Sequence, residues 1–291
     1  MWMCFDVRHW QIVNAVRYDF VEHQVVNRLL LTDRFMGVGM AISNRKVPKP
    51  PIVEAVVDID CDLPPKTDIR SLETPARERF SSEYPEVKTR LLLEDEFQTK
   101  DDERPQAKTR RDVQGYMFLQ EDGKQLVQVR GEGYSFNRLA PYSSLDDYIS
   151  EIRRTWTLYL EVARPVQVTT IRLRYINKIN LPVGGDKVDL DDYLKLGPRL
   201  PDEEQLMLKG FLIQYAAGET GTGNEVKTIL TSQNPEGAKL PIILDITASH
   251  GIRLNPEDWD GILVAIQSLR KLKNKVFWKT LKEEKCLPLF Q

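Results

Sequence analysis

Three aspartates in the first half of the sequence have a spacing that could bind a metal. Asp58, Asp60 and Asp62 alternate along one stretch, and a hard cation collects carboxylates of this kind. The pattern of a calcium loop fails, because Leu63 stands in place of its required glycine and Ile69 in place of its terminal glutamate. We therefore expect no metal site and interpret the aspartates as a solvated or ion-paired strand face.

A glycine-rich loop and a histidine are the next candidates. Residues 218–223 resemble a phosphate-binding loop in composition, but they lack a Gly-Lys-Ser/Thr ending and open no predicted helix, so we expect a hairpin connection. His250 follows Ser249 without the Gly-x-Ser-x-Gly elbow of a serine hydrolase, and we expect a loop histidine. The sequence thus predicts no catalytic residue and no cofactor.

One basic run and one aromatic run could contact nucleic acid. Residues 270–285 hold seven lysines and arginines against two glutamates. They fit a helix with a solvated basic outer face, and a phosphate-binding face is the alternative. Aromatic residues also interleave with Arg130 and Arg138 on the predicted hairpin strands and just after them. They could stack on bases, although core packing is the usual role of such residues: Tyr116, Phe118, Tyr134, Phe136 and Tyr142.

Composition limits the class of protein. The 291 residues are 41% hydrophobic, enough for a large core, and the net charge of -2 gives no global attraction to nucleic acid or acidic membranes. Cys4, Cys61 and Cys286 are far apart in sequence, so neither disulfides nor zinc are indicated. With no apolar run of membrane-spanning length and no signal-peptide pattern, we expect a cytoplasmic protein without membrane contact.

Hydrophobic periodicity in the first half predicts a strand, a helix, three strands and a second helix. The Asp-Gly pair at 122–123 favours a tight hairpin that sets Phe118 opposite Val127, and Gly131 and Gly133 then suggest a bulge. The predicted elements are strand 52–62, helix 68–84, strand 87–97, a charged loop at 99–112, strands 113–120 and 125–136, and helix 144–163.

The second half predicts the same order, from which we infer a duplication. Its elements are strand 166–180, helical segments within 189–208, strands 211–217, 226–232 and 240–248, and a helical region from 256 onward. The predicted fold is α+β, a largely antiparallel sheet backed by long helices, built from two β-α-β-β-β-α halves. Residues 48–165 and 166–291 are these halves, in one globular unit.

The first strands of the two halves carry opposite charges on their polar faces. If they lie side by side and antiparallel, we expect cross-strand ion pairs worth about 0.2–1 kcal/mol each. The acidic set is Glu54, Asp58, Asp60 and Asp62, and the basic set is Arg172, Arg174 and Lys178.

Residues 1–47 read as an N-terminal extension that is disordered or not native, with Met36 or Met40 as the natural start. A helical extension across residues 13–31 is the alternative.

Three motifs resemble a known family. It is a sporadically distributed family of uncharacterised prokaryotic proteins, whose members typically begin near the first motif, which favours Met40 as the start. The resemblance implies no activity and no site residues, and sporadic occurrence suggests carriage on mobile or defence gene clusters. The motifs are Pro50-Pro51-Ile52-Val53-Glu54-Ala55, Phe136-Asn137-Arg138-Leu139 running to Pro141-Tyr142, and Arg174-Tyr175-Ile176-Asn177.

The sequence as a whole favours a non-enzymatic binding or interaction module. Its partner is a protein encoded nearby, or a nucleic acid or nucleotide. The alternative is a carboxylate-using hydrolase, in which the acidic strand face from Glu54 to Asp62 carries the chemistry and needs raised pKa values. The residues expected at the contact surface are Arg138, Tyr142, Arg172, Arg174 and Asn177.

Overall fold

The computed structural model describes residues 47–98, 106–184, 188–201 and 205–291. The predicted N-terminal extension therefore lies, apart from Val47, outside the described residues. The strands are β1 (Ile52–Asp62), β2 (Glu86–Gln98), β3 (Gln106–Leu119), β4 (Gln125–Arg130), β5 (Gly133–Leu139), β6 (Gln167–Pro182), β7 (Leu212–Gly218), β8 (Asn224–Ser232) and β9 (Lys239–Leu254). The helices are α1 (Glu73–Phe80), α2 (Ile149–Ala163), α3 (Trp259–Thr280) and α4 (Glu283–Cys286).

The described residues fall into two compact units. The larger unit consists of residues 47–91, 113–184, 188–201 and 205–291, and it contains every residue discussed below. Residues 92–98 and 106–112 are the outer parts of β2 and β3 and belong to the other unit. The segment 99–112 was expected to be a loop, but its second part, residues 106–112, is strand.

The strands form one antiparallel sheet, in the order β2-β3-β4-β5-β1-β6-β9-β8-β7. The predicted α+β class with a largely antiparallel sheet is confirmed. β1 and β6 lie side by side and antiparallel in the middle of this sheet, with Asp58 directly opposite Arg172. The sequence-based expectation that the two oppositely charged strands pair is therefore confirmed.

Side chains along each strand point alternately to the two faces of the sheet. One face is apolar and packs against the helices: α2 contacts β5, and α3 contacts β6, β8 and β9. A single row of buried residues crosses it from β3 to β8, namely Phe118, Val127, Phe136, Val57, Leu173, Ala248 and Val226. The opposite face, called the polar face below, carries Glu54, Asp58, Asp60, Arg172 and Arg174.

The hairpin at 122–123 forms with the predicted register, Phe118 opposite Val127, and Gly123 has a φ of 63°. The predicted strand 125–136, in contrast, is two strands. Residues 131 and 132 form a tight turn between β4 and β5, so the expected bulge is wrong. Gly133 has a φ of 139°, and a Cβ there would lie 2.2 Å from the carbonyl oxygen of Ile59, so the chain needs glycine at this position. The first half therefore has four strands after α1, where three were expected.

Two predicted helical regions differ from the observed ones. Residues 68–84 begin as a 3-10 turn, Ile69–Leu72, whose N-cap Asp68 accepts a hydrogen bond from the backbone of Arg70, and continue as the short helix α1. Within 189–208 the described residues contain only the 3-10 turn Leu190–Asp192. Pro198 and Pro201 interrupt the remainder, since proline cannot donate the backbone hydrogen bond that a helix interior requires.

Within the described residues, none of the helices combines the length and the apolar character needed to cross a bilayer.

Candidate functional site

A cavity of about 750 Å³ lies on the helix-covered side of the sheet. Its walls come from α3, from β6, from the loop that leads into α2, and from the proline-rich segment before β1. This volume falls within the range that holds a small organic ligand. The residues that matter for its chemistry are Tyr142, Tyr175, Asn177, Arg270, Lys271 and Lys273.

Helix α3 places a lysine in this cavity. Its buried stripe contains Ile262, Ile266, Leu269 and Phe277, spaced by three, four or eight residues as expected for one face of a helix. Lys273 lies on the same stripe and is only 8% exposed. The sequence-based interpretation of the whole basic run as a solvated outer face is wrong at this position.

Lys273 has unusual surroundings for a cation. Its Nζ lies 3.7 Å from the centroid of the Tyr175 ring, in the geometry of a cation–π contact. Among the described residues no carboxylate forms a salt bridge with it. Burial, and to a smaller extent the positive charge of Arg270, lowers the pKa of Lys273 to about 7. The amine therefore changes its charge near neutral pH.

Two tyrosines form the floor of the cavity beside this amine. The hydroxyl oxygens of Tyr142 and Tyr175 lie 2.7 Å apart, and their rings meet edge to face with centroids 5.5 Å apart. Burial raises the pKa of both phenols, so both hydroxyls stay protonated at neutral pH. One hydroxyl donates to the other, which leaves one phenolic proton of the pair available to a bound molecule.

An ion pair fixes the loop that closes one side of the cavity. The guanidinium of Arg270 binds Asp146 through both terminal nitrogens, at 2.7 and 2.9 Å. The Ser144 hydroxyl accepts a hydrogen bond from the Asp146 backbone N–H at 3.2 Å, which caps the turn that leads into α2. Asp146 already neutralises Arg270. Lys271 and Lys273 are therefore the cations of the lining that form no salt bridge with another described residue.

The five residues expected at one contact surface lie in three places. Tyr142 and Asn177 both line the cavity, and the Asn177 side-chain amide donates to the backbone oxygen of Leu244 at 2.8 Å. Arg138 lies over the ring of Tyr148, 5.3 Å from its centroid, beside the start of α2. Arg172 and Arg174 are on the polar face. The structure therefore brings Tyr142 and Asn177 together and separates them from the two arginines of β6.

The polar face is a connected network of charges and amides. Asp60 of β1 accepts hydrogen bonds from Arg130 at 2.9 Å and from Arg172 at 2.8 Å, so it links β4, on the far side of β5, to β6. Arg174 pairs with Asp245 of β9, at 2.6 Å, rather than with β1. Each of these arginines thus has a carboxylate partner within the sheet, which explains the charge pattern without a ligand.

The amide branch of the same network includes Glu54. Its carboxylate accepts a hydrogen bond from Asn137 at 2.7 Å, and Asn137 in turn accepts one from Gln128 at 2.9 Å. Burial raises the pKa of Glu54, although the Asn137 hydrogen bond and the Arg174 charge oppose this. Ser135 donates to Asp58 on the neighbouring row. The carboxylates of this face are therefore already engaged by neighbouring side chains.

The remaining sequence motifs have structural positions. The loop at residues 218–223 connects β7 to β8, as expected for a hairpin, and Gly221 and Gly223 there have φ values of 82° and 72°. His250 lies within β9 rather than in a loop, and Ser249 faces the opposite side of the sheet. The described residues contain no group of three or more histidines, cysteines or carboxylates placed to hold a metal ion.

The interleaved aromatic residues belong to the core. Tyr134 contacts Trp156 and Tyr159 of α2, and its hydroxyl lies 2.7 Å from that of Thr155. All five aromatic side chains are at most 8% exposed, so they do not form an exposed base-stacking surface, although Tyr142 also lines the cavity. Core packing, the usual role of aromatic residues on hairpins, is their observed role.

Comparison with known proteins gives no family assignment. No protein-family model matches the chain, and a search of the curated proteins found no similar sequence.

Lys273 is the candidate site residue that the sequence analysis missed, although a signal for it exists. Counting from Ile266 in helical steps reaches Leu269, then Lys273, then Phe277. A lysine at a position where the helical period demands an apolar residue is a candidate for a functional group. The sequence analysis overlooked Lys273 because a run of basic residues usually forms a solvated helix face.

Proposed function

We propose that this protein is a binding module whose cavity beside α3 holds a small organic anion with a flat ring. The observation that carries the proposal concerns Lys273. Its buried side chain lines a large cavity and forms no salt bridge with any described residue. A ligand anion would supply the missing partner.

The need for an anion follows from the free energy of burying charge. A buried ammonium without a partner is unfavourable, and in proteins such a group either loses its proton or pairs with an anion. Lys271 lies on the same wall of the cavity and is exposed to solvent, so it offers a second positive charge near the opening. The lining therefore favours a ligand with a carboxylate, sulfate or phosphate group.

The expectation of a flat ring follows from the other walls. The cavity has aromatic surfaces from Tyr142, Tyr175, Phe277 and Trp278, and prolines of the segment before β1 also line it. Aromatic side chains of this kind bind planar apolar groups, while a few polar groups fix the orientation of the ligand. The Asn177 amide and the available phenolic proton of the tyrosine pair are such polar groups.

Two other functions suggested by the sequence receive less support. A nucleic-acid surface on β6 would need Arg172 and Arg174, and both already pair with carboxylates of the sheet. The raised pKa of Glu54 favours a carboxylate-using hydrolase at this residue. Its chemistry would have to break the hydrogen bond from Asn137, and we therefore rank it below the binding module.

We also infer that the two halves of the chain arose by duplication, as the sequence suggested. Support comes from the sheet, where β1 and β6 are adjacent, β5 flanks β1 and β9 flanks β6. In both halves the flanking strand leads into a helix on the same face, α2 after β5 and α3 after β9. On this reading the cavity takes Tyr142 from the first half and Lys273 from the second.

The proposal is tested by isothermal titration calorimetry with three flat-ring monophosphates: AMP, GMP and pyridoxine 5′-phosphate. We expect at least one to bind, and to bind at least about tenfold more weakly to Lys273→Met, because a charge-assisted pair is lost. Lys279→Met is the matched control, since Lys279 is exposed on the same helix and does not line the cavity.

Proton uptake gives a second readout of the same experiment. At pH 8 an amine with a pKa near 7 is mostly neutral, so pairing with an anion should draw about 0.9 proton from the buffer per ligand bound. The measured heat should then depend on the ionisation enthalpy of the buffer. If none of the three compounds binds, or if binding is the same in Lys273→Met, the proposed function is wrong.

A further inference from the structure

We propose that Lys273 is a carbonyl-capturing amine, which forms a reversible imine with an aldehyde or ketone group of the ligand. This inference rests on the proposed function, because it takes the same cavity and adds the chemical class of the ligand. It depends on three features: the lack of a carboxylate partner for the amine among the described residues, the buried position of the amine in the cavity, and the neighbouring pair of phenols.

The absence of a salt bridge leaves the nitrogen lone pair within reach of a carbonyl once the ammonium loses its proton. A lysine paired with a carboxylate is held as an ammonium, which cannot attack. The Nζ of Lys273 lies over the face of the Tyr175 ring, 3.7 Å from its centroid. Exposed lysines of the same helix, such as Lys279, are solvated instead.

The charged and titratable groups around Lys273 come from each of the elements that pack against it. Arg270 and Lys271 are on α3, Asp146 and Asp147 are on the loop before α2, and the two phenols complete the set. Arg270 is bound to Asp146 and adds to the preference of Lys273 for its neutral form. Neither phenol is ionised at neutral pH, so neither holds Lys273 as an ammonium.

The reaction balances without an oxidant or reductant. The Nζ lone pair attacks the carbonyl carbon, a C–N bond forms, and the carbonyl oxygen accepts a proton to give a carbinolamine. Loss of that oxygen as water, with the second N–H proton, gives the imine, and hydrolysis reverses it. The Tyr175 hydroxyl belongs to the ring beneath Nζ, and the Tyr142–Tyr175 pair can supply and take back the proton that the oxygen requires.

The cavity also suits an imine once it has formed. Water hydrolyses imines, and the burial of Lys273 against the Tyr175 ring limits access of water to a C=N bond at its Nζ. The adjacent Lys271 would hold an acidic group on the same ligand. The ligand class is therefore a small carbonyl compound that also carries an acid group.

The test uses pyridoxal 5′-phosphate, which has a ring, a phosphate and an aldehyde, and pyridoxine 5′-phosphate, which has an alcohol in place of the aldehyde. The full-length chain is incubated with pyridoxal 5′-phosphate below one equivalent at pH 7, reduced with cyanoborohydride, digested, and analysed by mass spectrometry. We expect Lys273 to be labelled at least about tenfold faster than the exposed lysines, because its neutral fraction is far larger.

The variants separate chemistry from folding. Lys273→Arg keeps a cation but cannot form an imine, so it should lose the fast label while its far-UV and near-UV spectra stay those of the wild type. Lys279→Arg is the control and should keep the fast label. Labelling spread over the exposed lysines, with Lys273 unmodified, would overturn the inference.

Calorimetry with pyridoxine 5′-phosphate tells this failure apart from failure of the proposed function. If the alcohol binds in a Lys273-dependent way and the aldehyde is not captured, the cavity binds anions and only the imine is wrong. If neither compound engages Lys273, both the imine and the anion site are wrong.

Discussion

Replacing Lys273 with methionine should stabilise the protein, which is the opposite of the usual result for a substitution at a buried position. The change removes a buried ammonium and keeps an unbranched side chain of similar length. With a pKa of about 7 in the folded chain, against 10.5 for an ordinary lysine, Lys273 lowers the free energy of unfolding at pH 7 by about 4 kcal/mol. Allowing for imperfect packing of the new side chain, we expect a gain of about 2–4 kcal/mol.

The sign of the pH dependence follows from proton binding. Between pH 7 and 10 the unfolded chain binds a proton at this lysine and the folded chain largely does not, so the stability of the wild type rises with pH. In Lys273→Met this contribution is absent. The difference in unfolding free energy between variant and wild type should therefore shrink by about 2 kcal/mol from pH 7 to pH 9.

Urea unfolding followed by tryptophan fluorescence at pH 7, 8 and 9 measures both quantities. Lys279→Met, exposed on the last turn of the same helix, should change stability by no more than about 0.5 kcal/mol, and without a pH trend. The reasoning about Lys273 is refuted if Lys273→Met is less stable than the wild type at pH 7 and the difference does not change with pH.

Three further predictions concern the frame around the site, and each is measured by urea unfolding. Gly133→Ala should cost about 1–3 kcal/mol, because residue 133 has a φ of 139° and a Cβ there would clash with the carbonyl of Ile59. Gly131→Ala is the control and should be nearly neutral, since a Cβ there meets nothing within 4 Å. Equal effects of the two substitutions on stability would contradict this. Tyr142→Phe should cost about 1–3 kcal/mol, because it removes the hydrogen-bond partner of the buried Tyr175 hydroxyl. Adding Tyr175→Phe should restore part of this loss, and no recovery in the double variant would argue against the hydrogen-bonded pair. Arg172→Ala and Asp60→Asn should be coupled by more than about 0.5 kcal/mol in a double-mutant cycle, and additivity would mean that the ion pair contributes nothing.

The central sheet could be predicted from the sequence because local rules determine it. The alternation in β1 marks which residues face the core, and the Asp-Gly pair sets the register of the hairpin between β3 and β4. Opposite charges on the two central strands predicted their pairing, and Asp58 does lie opposite Arg172. In each case residues close in sequence, or an evident charge pattern, carry the information.

Other parts of the fold depend on contacts that the sequence does not reveal. The turn between β4 and β5 was read as a bulge because glycines at 131 and 133 fit both, and only the close approach of Gly133 to Ile59 of β1 distinguishes them. Arg174 pairs with Asp245 on β9 instead of with β1, because the order of strands on that side puts β9 next to β6. Strand order is a long-range property.

The candidate site was found only in part for the same reason. Tyr142 and Asn177 were expected at a contact surface and do line the cavity, but the reasoning placed them beside Arg172 and Arg174, which face the other way. A sequence motif or a run of charges contains residues that are adjacent in sequence. In a strand, however, adjacent side chains point to opposite faces of the sheet. Lys273 was predicted to be solvated because its neighbours are.

The most direct test of the account is the protonation of Lys273 itself, followed by heteronuclear NMR of lysine side chains in the full-length chain, with Lys273→Arg to assign the signal. We expect its amine to titrate with a midpoint of about 7 in the free protein, and this midpoint to rise when pyridoxine 5′-phosphate binds, because an adjacent anion favours the ammonium. A midpoint near 10.5, the pKa of an ordinary lysine, that stays the same when the phosphate is added would contradict the account.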